Sequence, residues 1–518
     1  MSLRRILARA AEQGLTLELW GGERRGWGEV FDAARARATA LREDGVRPGD
    51  RVVIADRTGA PLIEAFLAAH WLGAVPILLA PIVGRGTAEG ERIDAVARES
   101  GARRVLLGAE AYKRHAGSLA CRERLRSLEA GPPGPLAAEG PEHPLATVQF
   151  SSGSTRAPRG VRVSHEGFAA NLAAIARVAE VRAEDVVVSW LPLHHDMGLV
   201  AGLFGGPAWG AATVLIDPLR FLRRPGHWLR AISERRGTIS MAPNFGFAHA
   251  ANLVRDEDLE GVDLSSWRIA WNGAEMVRRE TIRSFEARFR RFGLRPNLVV
   301  PCYGAAEATL MITSCPPERG LRTFLADREA LAAGRCAAGQ GEGAVELISV
   351  GPVPPGFAVE IDAPAETVGE ILVRGSTVSP GYDDGEDASL EGGTWRSGDL
   401  GVLLEGELYI VGRKKDLIVV NGRNLHPDDL EGFVRDRLGA SVRAVVAVGV
   451  PDPRSGTERV VVAIELVKRE RDGLALESLA ATLAARAGAP VEIRVVEQIP
   501  RTTSGKPRRA CTKAALVP

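Results

Sequence analysis

The stretch QFSSGSTRAPRGVRVSH, Gln149 to His165, sets Ser151, Ser152, Gly153, Ser154 and Thr155 side by side and follows them with Arg159 and Arg162. Hydroxyl donors, a backbone unencumbered at Gly153 and nearby positive charge suit an anion such as a triphosphate. Residue type alone equally allows a polar surface turn, since Ser, Gly and Pro cluster in ordinary loops. No Gly-Lys-Ser/Thr follows Gly153 or Gly160, so this is not the Walker loop. Two other stretches, NGAE ending at Glu275 and CYGAAE ending at Glu307, place a carboxylate after small residues. Lys506, in TTSGKPRR, would by itself be a solvated surface lysine. His194 and His195 invite a metal reading, but side chains at i and i+1 diverge on regular elements and no other spaced His or Cys completes a ligand set.

These residues need elements to hold them. RVVIADRTG from Arg51 reads as a buried strand and turn, and the residues after it as a helix and a second strand, which argues for parallel α/β architecture. The pattern recurs at Val186–Pro192, Ala211–Asp217, Gly237–Pro243, Arg268–Glu275 and Asn297–Gly304. Ligands in open α/β sheets sit at the carboxyl ends of strands, which makes NGAE and CYGAAE site candidates. After Ser349, short runs broken by Gly and Pro predict antiparallel β-structure. From Lys414 onward, strand and helix patterns predict a compact unit of about a hundred residues, with a hinge near Arg413 to Lys415. The Pro/Gly-rich tract Glu129–Pro144 reads as a surface connection.

At 518 residues the chain exceeds what one hydrophobic core usually serves, so two or more domains are expected. Lys and Arg number 66 against 65 Asp and Glu, a formal charge of +1, which gives no general pull toward nucleic acid. The basic clusters Arg220–Pro225 and Arg288–Pro296 interleave apolar residues and read as solvated helix faces. Five cysteines lack C-x-x-C spacing and cannot all pair, which points to a reducing cytoplasmic setting. The basic start MSLRRILARAAEQG lacks the apolar core of a signal peptide, and no later stretch is long enough for a membrane span.

The ordered set SSGSTRAPRGV, WLPLHHDMGLV, APNFGF, NGAEMV, CYGAAEAT, SGDLG, GRKKDLIVVNGRN and PRTTSGKPRR resembles the adenylate-forming (AMP-binding) superfamily across nearly the whole chain. The resemblance implies an α/β fold. A large N-terminal domain of several subdomains, residues 1–413, would hold parallel sheets and a β-rich part, and a small mobile α+β domain, residues 414–518, would hinge at Lys415. It implies that a carboxylate attacks the α-phosphorus of ATP and expels pyrophosphate, after which a thiol attacks the acyl-adenylate. Ser151 to Thr155 would lie over the ATP phosphates, although Arg156 stands where the family usually has Gly and Arg159 where it has Lys. Lys506 would reach the carboxylate and phosphate, and Glu307 would hold Mg2+. Tyr303, with Gly304 beside it, would stack on adenine, while Gly273, Ala274 and Glu275 would line the opposite wall and let the base approach. Asp399 and Arg413 would bind the ribose hydroxyls. His195 would sit near the acyl carboxylate, and Asn244 and Phe245 would line the acyl pocket. No Asp stands at that strand end to receive an α-ammonium, which disfavours an amino-acid substrate.

Within the superfamily, WLPLHHDMGL, APNFGF, NGAEMVRRETIRSFEARF and CYGAAEATLMIT look most like fatty-acyl-AMP ligases, which load acyl carrier proteins. The segment Cys315–Arg335 is similar to the extra segment that distinguishes those enzymes from acyl-CoA synthetases and is thought to restrict domain rotation. Its Leu321, Phe324, Leu325 and Leu331 offer apolar surface to hold it down. A carrier would be a separate protein, since the sequence holds no carrier domain after Lys506. The rival expectations are an acyl-CoA ligase and a non-catalytic scaffold of the same fold. Retention of Glu307, Asp399, Arg413 and Lys506 argues against the scaffold.

Overall fold

The computed structural model describes residues 1–84, 87–128, 136–150, 159–385, 387–420, 423–452, 457–467, 476–501 and 506–516. Ser151, Ser152, Gly153, Ser154, Thr155 and Arg156 lie outside the described residues, as does Thr502–Gly505 just before Lys506.

Runs of β-branched residues form the centre of the molecule. The strands Ile239–Pro243 and Ile269–Gly273 are buried along their whole length. Burial on both faces is what a parallel strand covered by helices on each side requires. They belong to an eight-stranded sheet, counted among the described residues, that also takes in Val186–Ser189, Ala212–Leu215 and Val299–Gly304. All five of these strands run parallel to their sheet neighbours among them. Thr16–Leu19 also joins the sheet, parallel to Ala212–Leu215. In register, Pro243 faces Gly273 and Asn272 faces Pro301, so the carboxyl ends of three strands finish along one edge. A second, parallel sheet contains Arg51–Ala55, Val75–Leu79 and Arg104–Leu107. Behind the eight-stranded sheet, Trp228 packs edge-on against Trp267 at 5.0 Å and Phe247 against Phe285 at 5.1 Å, all fully buried.

Antiparallel pairing begins with Met311–Ser314 against Val299–Gly304 and continues through Thr323–Asp327, ahead of the Ser349 boundary expected from the Gly- and Pro-broken runs. Ala344–Pro352, Phe357–Asp362, Gly369–Gly375, Thr394–Leu404 and Glu407–Arg413 lie in one sheet. A short turn, Lys414–Asp416, leads to the hairpin Ile418–Val420 and Arg423–Leu425. Next come a helix, Pro427–Leu438, and a three-stranded sheet of Val442–Asp452, Thr457–Leu466 and Val491–Val496. The helices Leu476–Ala487 and Arg509–Leu516 complete this part. Its two apolar clusters draw only on residues from Ile418 onward.

The segment Cys315–Arg335 is built into both parts of the molecule. Its strand Thr323–Asp327 pairs with Ala344–Pro352, and Arg319 makes two bonds, 2.6 and 2.8 Å, to the buried Glu407. From its helix Arg328–Ala332, Arg328 donates to Asp429 at 2.9 Å, and Arg486 grips the same carboxylate at 2.5 Å. Leu331 is buried and Leu321 and Phe324 pack at the margins of apolar clusters, but Leu325 is 49% exposed, against expectation. Successive residues on a strand point to opposite faces, so Phe324 and Leu325 cannot both turn inward.

Candidate active site

The strand ends open onto a cleft with a mixed lining. Met241, Trp271, Cys302 and Met311 contribute apolar surface, while Asp196, Ala274, Tyr303 and Gly304 carry polar groups. Burial pushes the Cys302 thiol up to about 12, so it contributes apolar surface and no thiolate.

Lys506 arrives from the C-terminal part. Its ammonium donates to the carbonyl oxygen of Ala274, whose φ of +66° is one that an L-residue adopts only under constraint. Desolvation lowers the Lys506 pKa, while the negative charges of Glu275 and Asp196 pull it back up. Glu275 accepts the Phe245 backbone N–H at 2.5 Å, and burial raises its carboxyl. Burial likewise raises Asp196, whose Oδ1 accepts the Met197 N–H at 2.8 Å and caps the π-helical turn Met197–Leu203. Asp196 was missed from sequence. Only the fold places it in the cleft, where its charge acts on Lys506.

A second group forms at the mouth. The Tyr303 hydroxyl donates to Asp399 at 2.7 Å, and Arg413 forms an ion pair with the other oxygen of that carboxylate at 2.9 Å. Asp399 and Arg413 are direct partners across antiparallel strands, which explains why a side chain from each meets there. Next to them the Glu307 carboxyl is raised by burial and accepts the Tyr382 hydroxyl at 3.2 Å. Tyr382 is a second residue the sequence did not disclose. Its ring lies 3.8 Å from the Arg159 guanidinium, which forks onto Asp384 at 2.9 Å through two nitrogens and also bonds Asp387. Arg159 is thus tied to acids of this loop. Lys415, in the turn after Arg413, has its pKa lowered by burial and then by Arg413.

His195 and His194 lie with ring centres 4.5 Å apart. Burial drives His195 well below its usual pKa and His194 to about 3, so both are neutral near pH 7. The fold itself also requires Gly273 and Gly304 to be small. A Cβ on Gly273 would stand 2.7 Å from the Cys302 sulfur, and one on Gly304 1.9 Å from the Leu310 carbonyl oxygen. Asn244 and Phe245 do not line the cleft. The Asn244 side chain bonds Thr281 at 3.1 Å, Asn272 at 3.3 Å and the Arg278 N–H at 3.2 Å, while the Phe245 ring packs on Trp190. Lys506, Ala274, Glu275, Tyr303, Asp399, Arg413, Glu307 and His195 are therefore gathered around one cleft, with Asn244 and Phe245 beneath it.

The chain matches the AMP-binding enzyme family over residues 8–383. It belongs to that family. A long-chain-fatty-acid–AMP ligase of Mycobacterium marinum, FadD26, is 36% identical, covering 93% of this chain and 90% of its own. Among solved structures, one from a study of fatty acyl-adenylate ligases of E. coli and L. pneumophila superposes with a TM-score of 0.90 at 29% identity, covering 99% of this chain and 97% of that one. A fatty acyl-adenylate ligase of L. pneumophila in complex with acyl adenylate and pyrophosphate superposes with a TM-score of 0.76 at 29% identity, covering 99% and 96%. This AMP-binding enzyme is an AMP-forming acid ligase, with the parallel sheets and β-rich sheet of the adenylate-forming fold. Among its described residues no helix is long and apolar enough to cross a membrane, and no group of three or more His, Cys, Asp or Glu is placed to hold a metal. A single carboxylate is enough for Mg2+, which takes one or two carboxylates and completes its shell with substrate phosphates and water.

Proposed function

We propose that the chain converts a fatty or alkyl carboxylic acid into its acyl-adenylate with ATP and Mg2+, and then delivers the acyl group to the phosphopantetheine thiol of a separate acyl carrier protein. The observation that carries the first step is the Lys506 ammonium donating to the carbonyl of Ala274, a residue that lines the cleft together with Met241, Trp271 and Met311. An acid whose tail lies against those apolar side chains would bring its carboxylate to Lys506. Lys506 there neutralises charge on the acid and on the α-phosphate as the new P–O bond forms and pyrophosphate leaves with the electron pair of the old one. Asp399, held by Tyr303 and Arg413, is aligned for a ribose, and the face of Tyr303 for the base. Mg2+ held through Glu307 would neutralise charge on the phosphates. The neutral His195 can orient a carboxylate by hydrogen bonding without bringing a second charge beside Lys506.

Preference for a carrier rests on Cys315–Arg335, which pairs with the β-rich sheet on one side and binds Asp429 on the other. Such a double attachment opposes the rotation that a coenzyme A acceptor is thought to need. The test offers an acid panel with ATP, and then either coenzyme A or a phosphopantetheinylated carrier, with products read by mass spectrometry. Acyl-adenylate followed by acyl-carrier is expected. Efficient acyl-CoA formation by the intact chain would replace the carrier reading with an acyl-CoA ligase, and no adenylate with any acid would remove both. Lys506→Ala should lower pyrophosphate release by about a hundredfold or more, leave the melting temperature unchanged, and still consume presynthesised acyl-adenylate. Release near the parental rate would unseat Lys506.

A further inference from the structure

Of the two basic clusters in the sequence, the fold neutralises one. Arg288 and Arg291 both pair with Asp256 and hold its carboxyl below the usual range. In the cluster Arg220–Pro225 all three arginines are exposed, and neither Arg223 nor Arg224 has an acidic partner among the described residues. Arg220 donates to the Trp20 carbonyl at 2.7 Å. The acids of neighbouring stretches are engaged elsewhere, Asp217 with Arg57 at 2.9 Å, Glu234 with Arg235 at 3.8 Å and Asp258 with Arg255 at 3.5 Å. Two leucines stand out on the same side, Leu222 at 44% and Leu253 at 56% exposure. Leu222 belongs to the helix Pro218–Arg223, and its carbonyl meets His249 Nε2 at 3.0 Å. Leu253 lies one turn beyond His249 on the helix Asn244–Leu253, so it shares that face. The half-buried Trp20 has the Arg220 guanidinium 5.9 Å from its ring and His227 at 5.2 Å.

A single exposed leucine needs no explanation, because much of any protein surface is apolar. Two leucines beside unpaired guanidiniums and an indole are another matter. Apolar side chains that enter lipid, cations at the headgroups and tryptophan at the boundary between them are the composition of a membrane-interface surface. We propose that this face docks on an anionic lipid bilayer. Arginines without fixed partners suit a fluid surface, where each cation gains separately. The inference takes its purpose from the fatty-acid reading above, since long acids partition into lipid, but the docking itself needs only the surface. Aromatic rings join that surface to the site. Phe221, next to Leu222, stacks on Trp190 at 3.7 Å, Trp190 meets Phe245 edge-on at 5.9 Å, and the Phe245 N–H binds Glu275.

The probe is a vesicle of equal parts phosphatidylcholine and phosphatidylglycerol, floated with the full chain in the absence of ATP and acid, with pure phosphatidylcholine vesicles in parallel. The parent should float with the anionic vesicles, and added salt should release it. Arg223→Ala combined with Arg224→Ala should weaken that binding about thirtyfold. Leu222→Ser combined with Leu253→Ser should weaken it about tenfold at any salt concentration. Both variants should adenylate a short, water-soluble acid at the parental rate, whereas adenylation of a long acid held in the anionic vesicles should fall together with binding. A parent that stays with the soluble fraction overturns the proposal, and so does unchanged vesicle affinity in both variants. Variants that float like the parent but lose acyl transfer to an acidic carrier protein would make the face a protein-docking surface and overturn it as well. Failure of the acid-ligase reading looks different, because adenylation would then be missing while vesicle binding persisted.

Discussion

The carboxylate of Asp399 accepts the Tyr303 hydroxyl on one oxygen and is ion-paired to Arg413 through the other, so its orientation is fixed before any nucleotide arrives. Fixed acceptors give more affinity per bond than mobile ones, because less freedom is lost on binding. Asp399→Ala and Arg413→Ala should therefore raise the ATP requirement about ten- to hundredfold while moving the acid requirement little. Parallel ATP and acid titrations of pyrophosphate release decide it, and an unchanged ATP curve in both variants would remove the ribose assignment. This group was legible in sequence because short motifs fix its members, and antiparallel register then brings Asp399 opposite Arg413. Asp196 and Tyr382 were not, since burial and partners reached across 75 residues leave no local mark. The partners of Asn244 are hidden for the same reason. Its side chain turns to Thr281 and Asn272, which sequence does not place.

At the scale of elements, the strand and helix within Cys315–Arg335 act as a brace. Deleting Glu318–Ala333 would remove Arg319 as well and leave the buried Glu407 without its guanidinium, a loss of about 3–5 kcal/mol that would blur any effect on acyl transfer. The cleaner change is Arg328→Ala, which cuts the link to Asp429 and leaves Arg486 holding that carboxylate. A hydrogen bond to a charged group is worth about 1.5–3 kcal/mol, enough to shift a two-position equilibrium about ten- to a hundredfold. Arg328→Ala should keep parental adenylation and gain measurable acyl-CoA synthesis in a coupled thiol assay. Parental rates with both acceptors would deny the ion pair any part in acceptor choice. Arg51–Ala55, Val186–Ser189, Ala212–Leu215, Ile239–Pro243, Ile269–Gly273 and Val299–Gly304 were foreseen within a few residues, because short apolar runs bounded by Gly and Pro leave few alternatives, but Arg104–Leu107 of the second parallel sheet was not. Thr16–Leu19 escaped, being too short to show a period.

For the whole molecule, buried imidazoles couple stability to pH. Burial brings His165 down to about 4 and His194 to about 3, whereas in the unfolded chain each titrates near 6.5. As pH falls below 6.5 the unfolded state takes up protons that the folded state refuses, so folding weakens, by about 2 kcal/mol for each imidazole by pH 5. Buried carboxyls with raised pKa, such as Glu275 and Glu431, work in the opposite direction, so the informative comparison is between parent and variant. His165→Gln should shrink the difference in urea-unfolding stability between pH 7 and pH 5 by about 2 kcal/mol. An identical pH slope in parent and variant would show that His165 is not titrating as its burial requires.

The apolar clusters that begin at Ile418 borrow nothing from the residues before them. Under the proposed function Lys506 is a reagent on a leash, with the turn Lys414–Asp416 as the covalent tether that would set its effective concentration at the cleft. Short tethers give values on the order of millimolar. A chain severed in that turn should release pyrophosphate with a rate that climbs with the amount of added C-terminal fragment. The fragment concentration at half-maximal rate would measure how much of the first step is owed to mere attachment, and a rate that stays at zero up to saturating fragment would show that the joint does more than tether.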